Sequence, residues 1–296
     1  MKVLVSGSSG LVGAKLVARL RDDGHEVTPL VRSRGQEGLY WDSATYALDD
    51  ASELTSFDTV IHLAGESIVG RWSPEKKQRI HVSRIASTAQ LAKAIEAHCA
   101  AAPPTFIVAS AIGYYGDRGD DVLDEESARG TGFLADVCRD WEVAADSARA
   151  VGCRVVHARF GMLLSPEGGA LKKMLPPFKM GLGGRLGPGL QYMSWAALDD
   201  AVAAILHVWQ NQEIEGPVNV VSPNPCTNLA FTEALGRVLR RPTVFPVPAG
   251  AARLVFGEMA DALLLASQRV VPTRLLNSGF RFQYAELEDA LQALCG

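Results

Sequence analysis

The chain has 296 residues, 48% of them hydrophobic and 21% charged, which is a composition typical of a globular protein with one or two domains. Its formal net charge is −4 and its basic residues are dispersed, which argues against nucleic acid as a partner. The five cysteines are scattered and form no Cys-x-x-Cys pair, so we expect no disulfide framework, no metal site and a reducing, cytoplasmic location.

The sequence also predicts no membrane partner. The N-terminus lacks the basic region of a signal peptide and opens directly on a strand pattern. The longest uncharged stretch, residues 99–116, is interrupted by Pro103, Pro104 and Gly113. It therefore predicts a loop followed by a buried strand rather than a membrane span.

The N-terminal stretch has the pattern of a dinucleotide-binding turn. An apolar strand, 2–6, runs into Gly7, Gly10 and Gly13, and a helical pattern follows at once. Such glycines permit a tight turn, a close backbone approach to a pyrophosphate and close packing of helix on strand. The free N–H groups at the start of the helix would then face the phosphates.

The end of the second strand indicates which cofactor is bound. Strand 25–31 is followed by Arg32 and Ser33, where an NAD-binding protein would carry an acid for the ribose 2′-hydroxyl. An arginine at this place accommodates a 2′-phosphate, so the sequence favours NADP(H) over NAD(H). The alternative is that these residues belong to an ordinary surface loop.

Strands and helices alternate along most of the chain. Strands are predicted at 58–63, 105–109 and 154–160, with a helix from Ser73 and Pro74 to about His98 between the first two. Further helices are predicted over 131–149 and from Ser194 and Trp195 to about 211, and Pro176 and Pro177 are expected to end an apolar stretch. This alternation predicts an α/β fold, a Rossmann-type doubly wound parallel sheet with a smaller C-terminal lobe. We assign residues 1–164 and 196–221 to the Rossmann domain and residues 165–195 and 222–296 to the lobe.

Several sequence motifs indicate the family that this chain resembles. They are GSSGLVG, VIHLAGE, RWSPEKKQRI followed by SRIAST, SAIGYYG, the DWE at 140–142 and GGRLGPGLQYMSWAALDD. With these the chain resembles the extended short-chain dehydrogenase/reductase superfamily, and more narrowly its atypical "epimerase family" branch, which is nucleoside-diphosphate-sugar-epimerase-like. A C-terminal segment of that branch is matched around Gly257, Val271 and Gly279.

One departure from the superfamily concerns catalysis. The resemblance implies a Tyr-x-x-x-Lys pair on the helix after the acidic loop 117–126, but residues 133–142 contain neither Tyr nor Lys. The upstream serine of active members falls at Ser110 or, one register away, at Ala111. Tyr114 and Tyr115 are the nearest substitute acids, with an aromatic wall of the pocket as the alternative reading. Ser110, Tyr114 and Tyr115 are thus the catalytic candidates.

The cofactor prediction covers the glycine turn, the ends of the second and fourth strands and three residues beyond them. The set is Gly7, Ser8, Ser9, Gly10, Leu11, Val12, Gly13, Arg32, Ser33, Leu63, Ala64, Gly65, Glu66, Ser83, Ser110 and Arg159. His62, at the end of the fourth strand, is more simply explained by packing than by catalysis.

The second ligand is expected under a glycine-rich segment, 183–195. There Gly184, Arg185, Gln191 and Trp195 would supply backbone, a cation, an amide and an aromatic face. The segment could instead be a plain connector with Trp195 between the lobes.

Two functions remain open from the sequence. One is an NADP(H)-dependent oxidoreductase or epimerase that acts on a small or nucleotide-linked molecule, as a monomer or homodimer. The other is a non-catalytic NADP(H)-binding regulator or sensor.

Overall fold

The computed structural model describes residues 1–296, and a seven-stranded parallel sheet forms its centre. The strands in chain order are β1 (Lys2–Ser6), β2 (Glu26–Val31), β3 (Leu39–Tyr40), β4 (Thr59–His62), β5 (Thr105–Ala111), β7 (Val155–Phe160) and β11 (Gly216–Val220). Their spatial order is β11-β7-β5-β4-β1-β2-β3. This order, which reverses direction beside β1, confirms the predicted doubly wound fold.

Helices cover both faces of the sheet. The ten helices of the chain are α1 (Leu11–Asp22), α2 (Pro74–Cys99), α3 (Phe133–Val143), α4 (Asp146–Ala150), α5 (Gly169–Lys179), α6 (Leu198–Gln210), α7 (Asn228–Leu239), α8 (Ala249–Phe256), α9 (Thr273–Asn277) and α10 (Leu287–Cys295), of which α5, α7 and α10 lie in a separate core. Short 3₁₀ turns occupy Ala51–Ser56 and Ile112–Tyr115, and a π turn occupies Ala260–Leu264. No helix is long and apolar enough to span a bilayer.

The strand sequences explain why both faces are covered. Successive side chains of β1 point to opposite faces, so that Val3 and Val5 join one core with α1 and α6 while Leu4 joins the other with α2. Ile107 and Phe106 of β5 divide in the same way. Strands buried on both faces read as continuous apolar runs, as these do.

Six short strands lie outside the central sheet. They pair in parallel as β6 (Val122–Leu123) with β13 (Arg269–Val270) and β8 (Met162–Leu164) with β10 (Trp195–Ala197), and antiparallel as β9 (Tyr192–Met193) with β12 (Cys226–Thr227). A third core, built on α5, α7 and α10, belongs to this C-terminal part. The pairing of β13 with β6 joins the C-terminal part of the chain to the segment that follows β5.

Buried carboxylates also hold the C-terminal segment. Asp200, which is 2% exposed, accepts the backbone N–H groups of Gln283 and Tyr284. Glu125, which is 5% exposed, accepts the N–H groups of Asn219 and Arg274. Burial raises the pKa of both carboxyl groups. The last part of the chain is therefore bound to α6 and to the loop after β6 by charge-assisted hydrogen bonds.

Several helix and strand boundaries differ from those expected. The helix predicted over 131–149 is divided into α3 and α4 at Ala144–Ala145. Pro176 and Pro177 lie inside the last turn of α5 rather than ending it. Trp195, expected to open a helix, belongs to β10, and α6 begins only at Leu198.

Candidate functional site

The turn from β1 to α1 is closed by two glycines. Gly7 has φ of +68°, and a Cβ there would lie 2.8 Å from the carbonyl carbon of Leu63. A Cβ at Gly13 would overlap the carbonyl oxygen of Gly7. Both positions therefore require glycine, because the chain passes against β4 at one and folds back on itself at the other.

The N-terminus of α1 is free to receive an anion. Gly10 is the N-cap residue, no side chain caps the helix, and its first turn contains no acid. Ser9 and Gly10 are exposed, while Ser8, Leu11 and Val12 are half-buried. The unsatisfied N–H groups and the positive end of the helix dipole are therefore available to a phosphate.

At the end of β2 the structure distinguishes two arginines. Arg34 donates from its two terminal guanidinium nitrogens to the two carboxylate oxygens of Asp49, at 2.9 and 3.1 Å. Its guanidinium carbon lies 4.4 Å from the centre of the Tyr40 ring. Arg32 and Ser33 are exposed, and neither side chain makes a hydrogen bond or an ion pair. Arg32 is therefore the cation that is free to meet a phosphate on this side.

The end of β4 is fixed by a buried histidine. The Ser6 hydroxyl lies 2.6 Å from His62 Nδ1 and accepts the N–H groups of Leu63 and Ala64, while His62 Nε2 lies 2.9 Å from the Ser87 hydroxyl. Burial lowers the pKa of His62 to about 3, so the ring is neutral at physiological pH. His62 thus joins β1, β4 and α2 and has no exposed surface for catalysis.

The segment after β4 is held by residues of α2. The N–H of Glu66 donates to the Ser83 hydroxyl at 3.1 Å, and Lys76 pairs with the Glu66 carboxylate at 2.6 Å. Arg84 donates to the Glu66 carbonyl at 3.0 Å, and a Cβ on Gly65 would lie 3.3 Å from the Arg84 guanidinium carbon. Gly65 is exposed. The segment therefore presents its backbone to the crevice at the carboxyl edge of the sheet, and the Arg84 guanidinium lies directly behind it.

Arg84 is a residue that sequence reasoning missed. Its guanidinium bonds only backbone carbonyls and lies 5.0 Å from the centre of the Trp141 ring, with no carboxylate in an ion pair with it. Burial lowers the pKa of this guanidinium. A half-buried cation without an anion is a candidate ligand for a phosphate. The signal in the sequence is the SRIAST motif, in which this arginine directly follows Ser83.

The floor of the crevice, at the end of β5, contains a buried ion pair. Arg159 on β7 donates to both carboxylate oxygens of Glu142 on α3, at 2.7 and 2.8 Å, and Ser110 donates to the same carboxylate at 2.7 Å. Ser110 and Arg159 are 2% and 3% exposed. Arg159 is therefore satisfied inside the protein, which argues against the predicted direct contact with the cofactor, and Ser110 is held by Glu142.

The two candidate tyrosines have different environments. Tyr115 is fully buried, and its hydroxyl accepts from Arg159 at 2.9 Å and donates to Asn219 at 2.8 Å. Burial raises the pKa of Tyr115 to about 12. Tyr114 is half-buried, its ring covers the Arg159 guanidinium at 3.6 Å, and its hydroxyl makes no hydrogen bond. We therefore remove Tyr115 from the catalytic candidates and retain Tyr114.

The predicted substrate segment is fixed structure in two places. Trp195 is fully buried in the C-terminal core and donates to the Asn224 carbonyl, while the Gln191 amide bonds the carbonyls of Leu186 and Leu264. Neither side chain is available to a ligand. Gly184 passes against the Phe245 carbonyl, and Arg185 is exposed with no partner for its side chain. Of the three predicted side chains only that of Arg185 is unpaired.

The remaining nucleophile in this region is inert. Cys138 lies on α3 below Gly113, and burial raises the pKa of its thiol to about 12. A protonated, buried thiol neither attacks a substrate nor binds a metal.

The structure brings together the glycine turn, the segment after β4, Arg84 and Tyr114 along the carboxyl edge of the sheet, where ligands of open α/β sheets bind.

Comparison with known proteins finds similar sequences over nearly the whole chain. The model of the NAD dependent epimerase/dehydratase family matches residues 3–221, and a domain of unknown function, DUF1731, matches residues 247–294. An epimerase family protein of Mycobacterium bovis is 44% identical to this chain. The match covers 98% of this chain and 96% of the length of the mycobacterial protein.

Two solved structures are also similar. The human epimerase family protein SDR39U1, solved with NADPH, matches with a TM-score of 0.90 and 33% identity over 99% of each chain. A nucleoside-diphosphate sugar epimerase from Corynebacterium glutamicum matches with a TM-score of 0.81 and 36% identity, although this chain covers 58% of that one. On the family model and these relatives together, the chain belongs to the NAD-dependent epimerase/dehydratase family.

Proposed function

We propose that this chain binds NADP(H) and acts as an oxidoreductase on a small carbonyl or alcohol substrate. The observation that carries the proposal is the open N-terminus of α1 beside the unpaired Arg32. The first provides backbone N–H groups for a pyrophosphate, and the second provides a cation for a 2′-phosphate. The NADPH in the human SDR39U1 structure supports the same cofactor.

The other cofactor contacts follow the carboxyl edge of the sheet. In this proposal the turn residues Ser8 to Val12 surround the pyrophosphate of the cofactor. Ser33 assists Arg32 in binding the 2′-phosphate. Leu63 to Glu66 present backbone to the ribose and ring portions of the cofactor. Arg84 adds a cation behind Gly65, and Ser83 holds Glu66 in place. When bound, the reduced cofactor supplies a hydride. Ser110 and the ion pair below it shape the floor at which the hydride is delivered.

Proton transfer is assigned to Tyr114. Its hydroxyl has no partner within the protein, and it follows β5 at the place where the crevice opens. The Arg159 guanidinium lies 3.6 Å from the centre of the Tyr114 ring and holds the ring in place. Because α3 supplies no Tyr and Lys, Tyr114 acts without the usual lysine, so we expect turnover of standard nucleotide sugars to be very slow or absent.

A second candidate is a non-catalytic NADP(H) sensor. Two hydroxyls that could have moved a proton, those of Ser110 and Tyr115, are both committed to buried partners. General acid–base catalysis contributes roughly 10²–10⁴-fold, so its loss would leave a binding protein with negligible turnover. The two candidates make the same prediction for cofactor binding and opposite predictions for turnover.

Titration of the purified chain with NADPH and NADH tests the cofactor assignment. A charge-assisted bond to phosphate contributes about 1.5–3 kcal/mol, so we expect NADPH to bind roughly tenfold to a hundredfold more tightly. Equal dissociation constants would contradict it. Absorbance at the nicotinamide band, followed with a panel of carbonyl compounds, then separates oxidoreductase from sensor.

A further inference from the structure

Apolar side chains from three segments meet beside the floor of the crevice. They are Ile68, Trp72, Phe133, Leu134, Phe256 and Met259, and together they are here called the apolar wall. Trp72 and Met259 are 8% and 4% exposed, whereas the other four are only partly buried. The wall therefore has interior members that fix it and outer members that keep accessible surface.

The wall is adjacent to the place where we assign the hydride and proton transfers. A Cβ on Gly113, in the turn that carries Tyr114, would lie 3.3 Å from Cβ of Leu134. Phe133, the next residue along α3, packs edge-on against Trp72 with ring centres 5.2 Å apart. A molecule reacting above Ser110 and beside Tyr114 would thus have Leu134 as its neighbour on the α3 side.

The C-terminal lobe completes the wall from above. The N–H of Gly70 lies 3.2 Å from the Met259 sulfur, and Arg71 donates to the Leu254 carbonyl at 3.2 Å, which holds this end of the lobe against the segment after β4. The Trp72 indole N–H donates to the Ile68 carbonyl at 2.7 Å. The polar atom of Trp72 is therefore satisfied internally, and the wall offers no hydrogen bond to a ligand.

The two lysines near the wall are paired with carboxylates, and Arg71 donates only to the Leu254 carbonyl. Lys76 pairs with Glu66, Lys77 pairs with Glu258, and Arg79 lies 3.9 Å from the Glu66 carboxylate. A nucleotide sugar needs unpaired cations for its pyrophosphate and hydrogen-bonding groups for its sugar. The six side chains of the wall supply neither, so the chemistry of the wall fits a ligand that buries apolar surface.

We propose that the second ligand is a carbonyl compound with an apolar body, which packs against the apolar wall, and not a nucleotide sugar. The inference rests on the proposed function, since it takes NADPH as the reductant. The carbonyl carbon receives the hydride and the carbonyl oxygen receives a proton, so one NADPH and one proton are consumed for each alcohol and NADP⁺ formed. The wall sets the preference for the apolar part of the substrate.

A series of straight-chain methyl ketones, from 2-butanone to 2-decanone, tests this assignment on the NADPH-loaded full chain. Binding is read from cofactor fluorescence and turnover from cofactor absorbance, with UDP-glucose as the polar comparison. We expect affinity to increase roughly three- to fourfold per added methylene until the wall is covered, since each buried CH₂ contributes about 0.8 kcal/mol. Tighter binding of UDP-glucose, no dependence on chain length, or no binding of any ketone would overturn the inference.

Two matched variants locate the effect on α3. Leu134→Asn should abolish most of the dependence on chain length while leaving the NADPH dissociation constant unchanged. Val143→Asn makes the same chemical change on the same helix at a residue that is 57% exposed, and should retain the full dependence. If Leu134→Asn does not fold, Phe256→Ser makes the equivalent change on the lobe. Retention of the full dependence in the folded wall variant would contradict the assignment.

The outcomes also separate the inference from the proposed function. Failure of the wild-type chain to bind NADPH removes both. Normal NADPH binding without a preference for longer ketones leaves the cofactor assignment intact and removes only the apolar substrate.

Discussion

At the scale of single residues, Arg32 is expected to determine cofactor choice. Arg32→Asp should lower affinity for NADPH and reverse the preference toward NADH, because a carboxylate repels the 2′-phosphate and bonds a 2′-hydroxyl. The measurement is the ratio of the two dissociation constants. Arg240→Asp makes the same charge change at another exposed arginine without a side-chain partner, and should leave the ratio unaltered. An unchanged ratio in Arg32→Asp would disprove the assignment.

The two adjacent tyrosines should respond differently to the same substitution. Tyr114→Phe should lower kcat for an accepted ketone by roughly 10²-fold or more, with little change in stability, since its hydroxyl has no partner to lose. Tyr115→Phe should instead lower the free energy of unfolding by about 1–3 kcal/mol, because Arg159 and Asn219 lose a buried partner. Parallel kinetics and urea denaturation check both, and normal kcat in Tyr114→Phe would remove it as the proton donor.

At the scale of elements, His62 couples the packing of β1, β4 and α2 to pH. Its pKa is about 3 in the folded chain and 6.5 ordinarily, so the unfolded chain binds a proton that the folded chain does not as pH falls through this window. Between pH 6.5 and pH 3, each unit by which the pH falls should therefore lower the free energy of unfolding by about 1.4 kcal/mol through this group. Buried His157, with a pKa lowered to about 4, adds to the slope.

Urea denaturation between pH 7 and pH 4 measures that slope. His62→Gln should reduce it, whatever the variant's absolute stability. His98→Gln replaces an exposed histidine near the end of α2 and should leave it unchanged. A slope that is the same in all three proteins would show that His62 is not the titrating group.

Elements with local signals could be predicted from the sequence. The start of α2 is the clearest case, because Ser73 caps the helix by accepting the N–H of Lys76 and Pro74 is its first residue. The β1–α1 turn is equally local. In contrast, β6 and β13 are two residues each and exist only because segments far apart in sequence pair with each other. α8 was not predicted, since three prolines among residues 242–248 indicated only turns before it.

The candidate site was predictable where backbone geometry determines it and not where burial does. Gly7 and Gly13 follow from the motif, whereas the burial of Tyr115 depends on Asn219 of β11 and that of Trp195 on a core formed by α5 and α7. Arg84 required knowledge that Gly65 passes over α2. No periodicity in the sequence contains such information, because it arises from contacts between distant elements.

At the scale of the whole molecule, Asp200 should be required for docking of the C-terminal segment. Asp200→Ala leaves the N–H groups of Gln283 and Tyr284 without an acceptor, and we expect a loss of about 1–3 kcal/mol in the free energy of unfolding. Limited proteolysis should then cut the segment near residue 283 first. Asp199→Ala, which removes only a surface ion pair with Lys15, is the matched control. Equal stability of the two variants would contradict this role.

The central position of β1 has a consequence for synthesis. This strand is synthesised before the other strands of its sheet and can pair with β2 and β4 soon afterwards, yet the far edge of the sheet is β11, which begins at residue 216. At about 5–20 residues per second, some 10–40 seconds separate the two events. During that time the apolar face later covered by α6 has no partner. The nascent chain is therefore most prone to aggregation before residue 220 emerges, and a chaperone would be of most use in that interval.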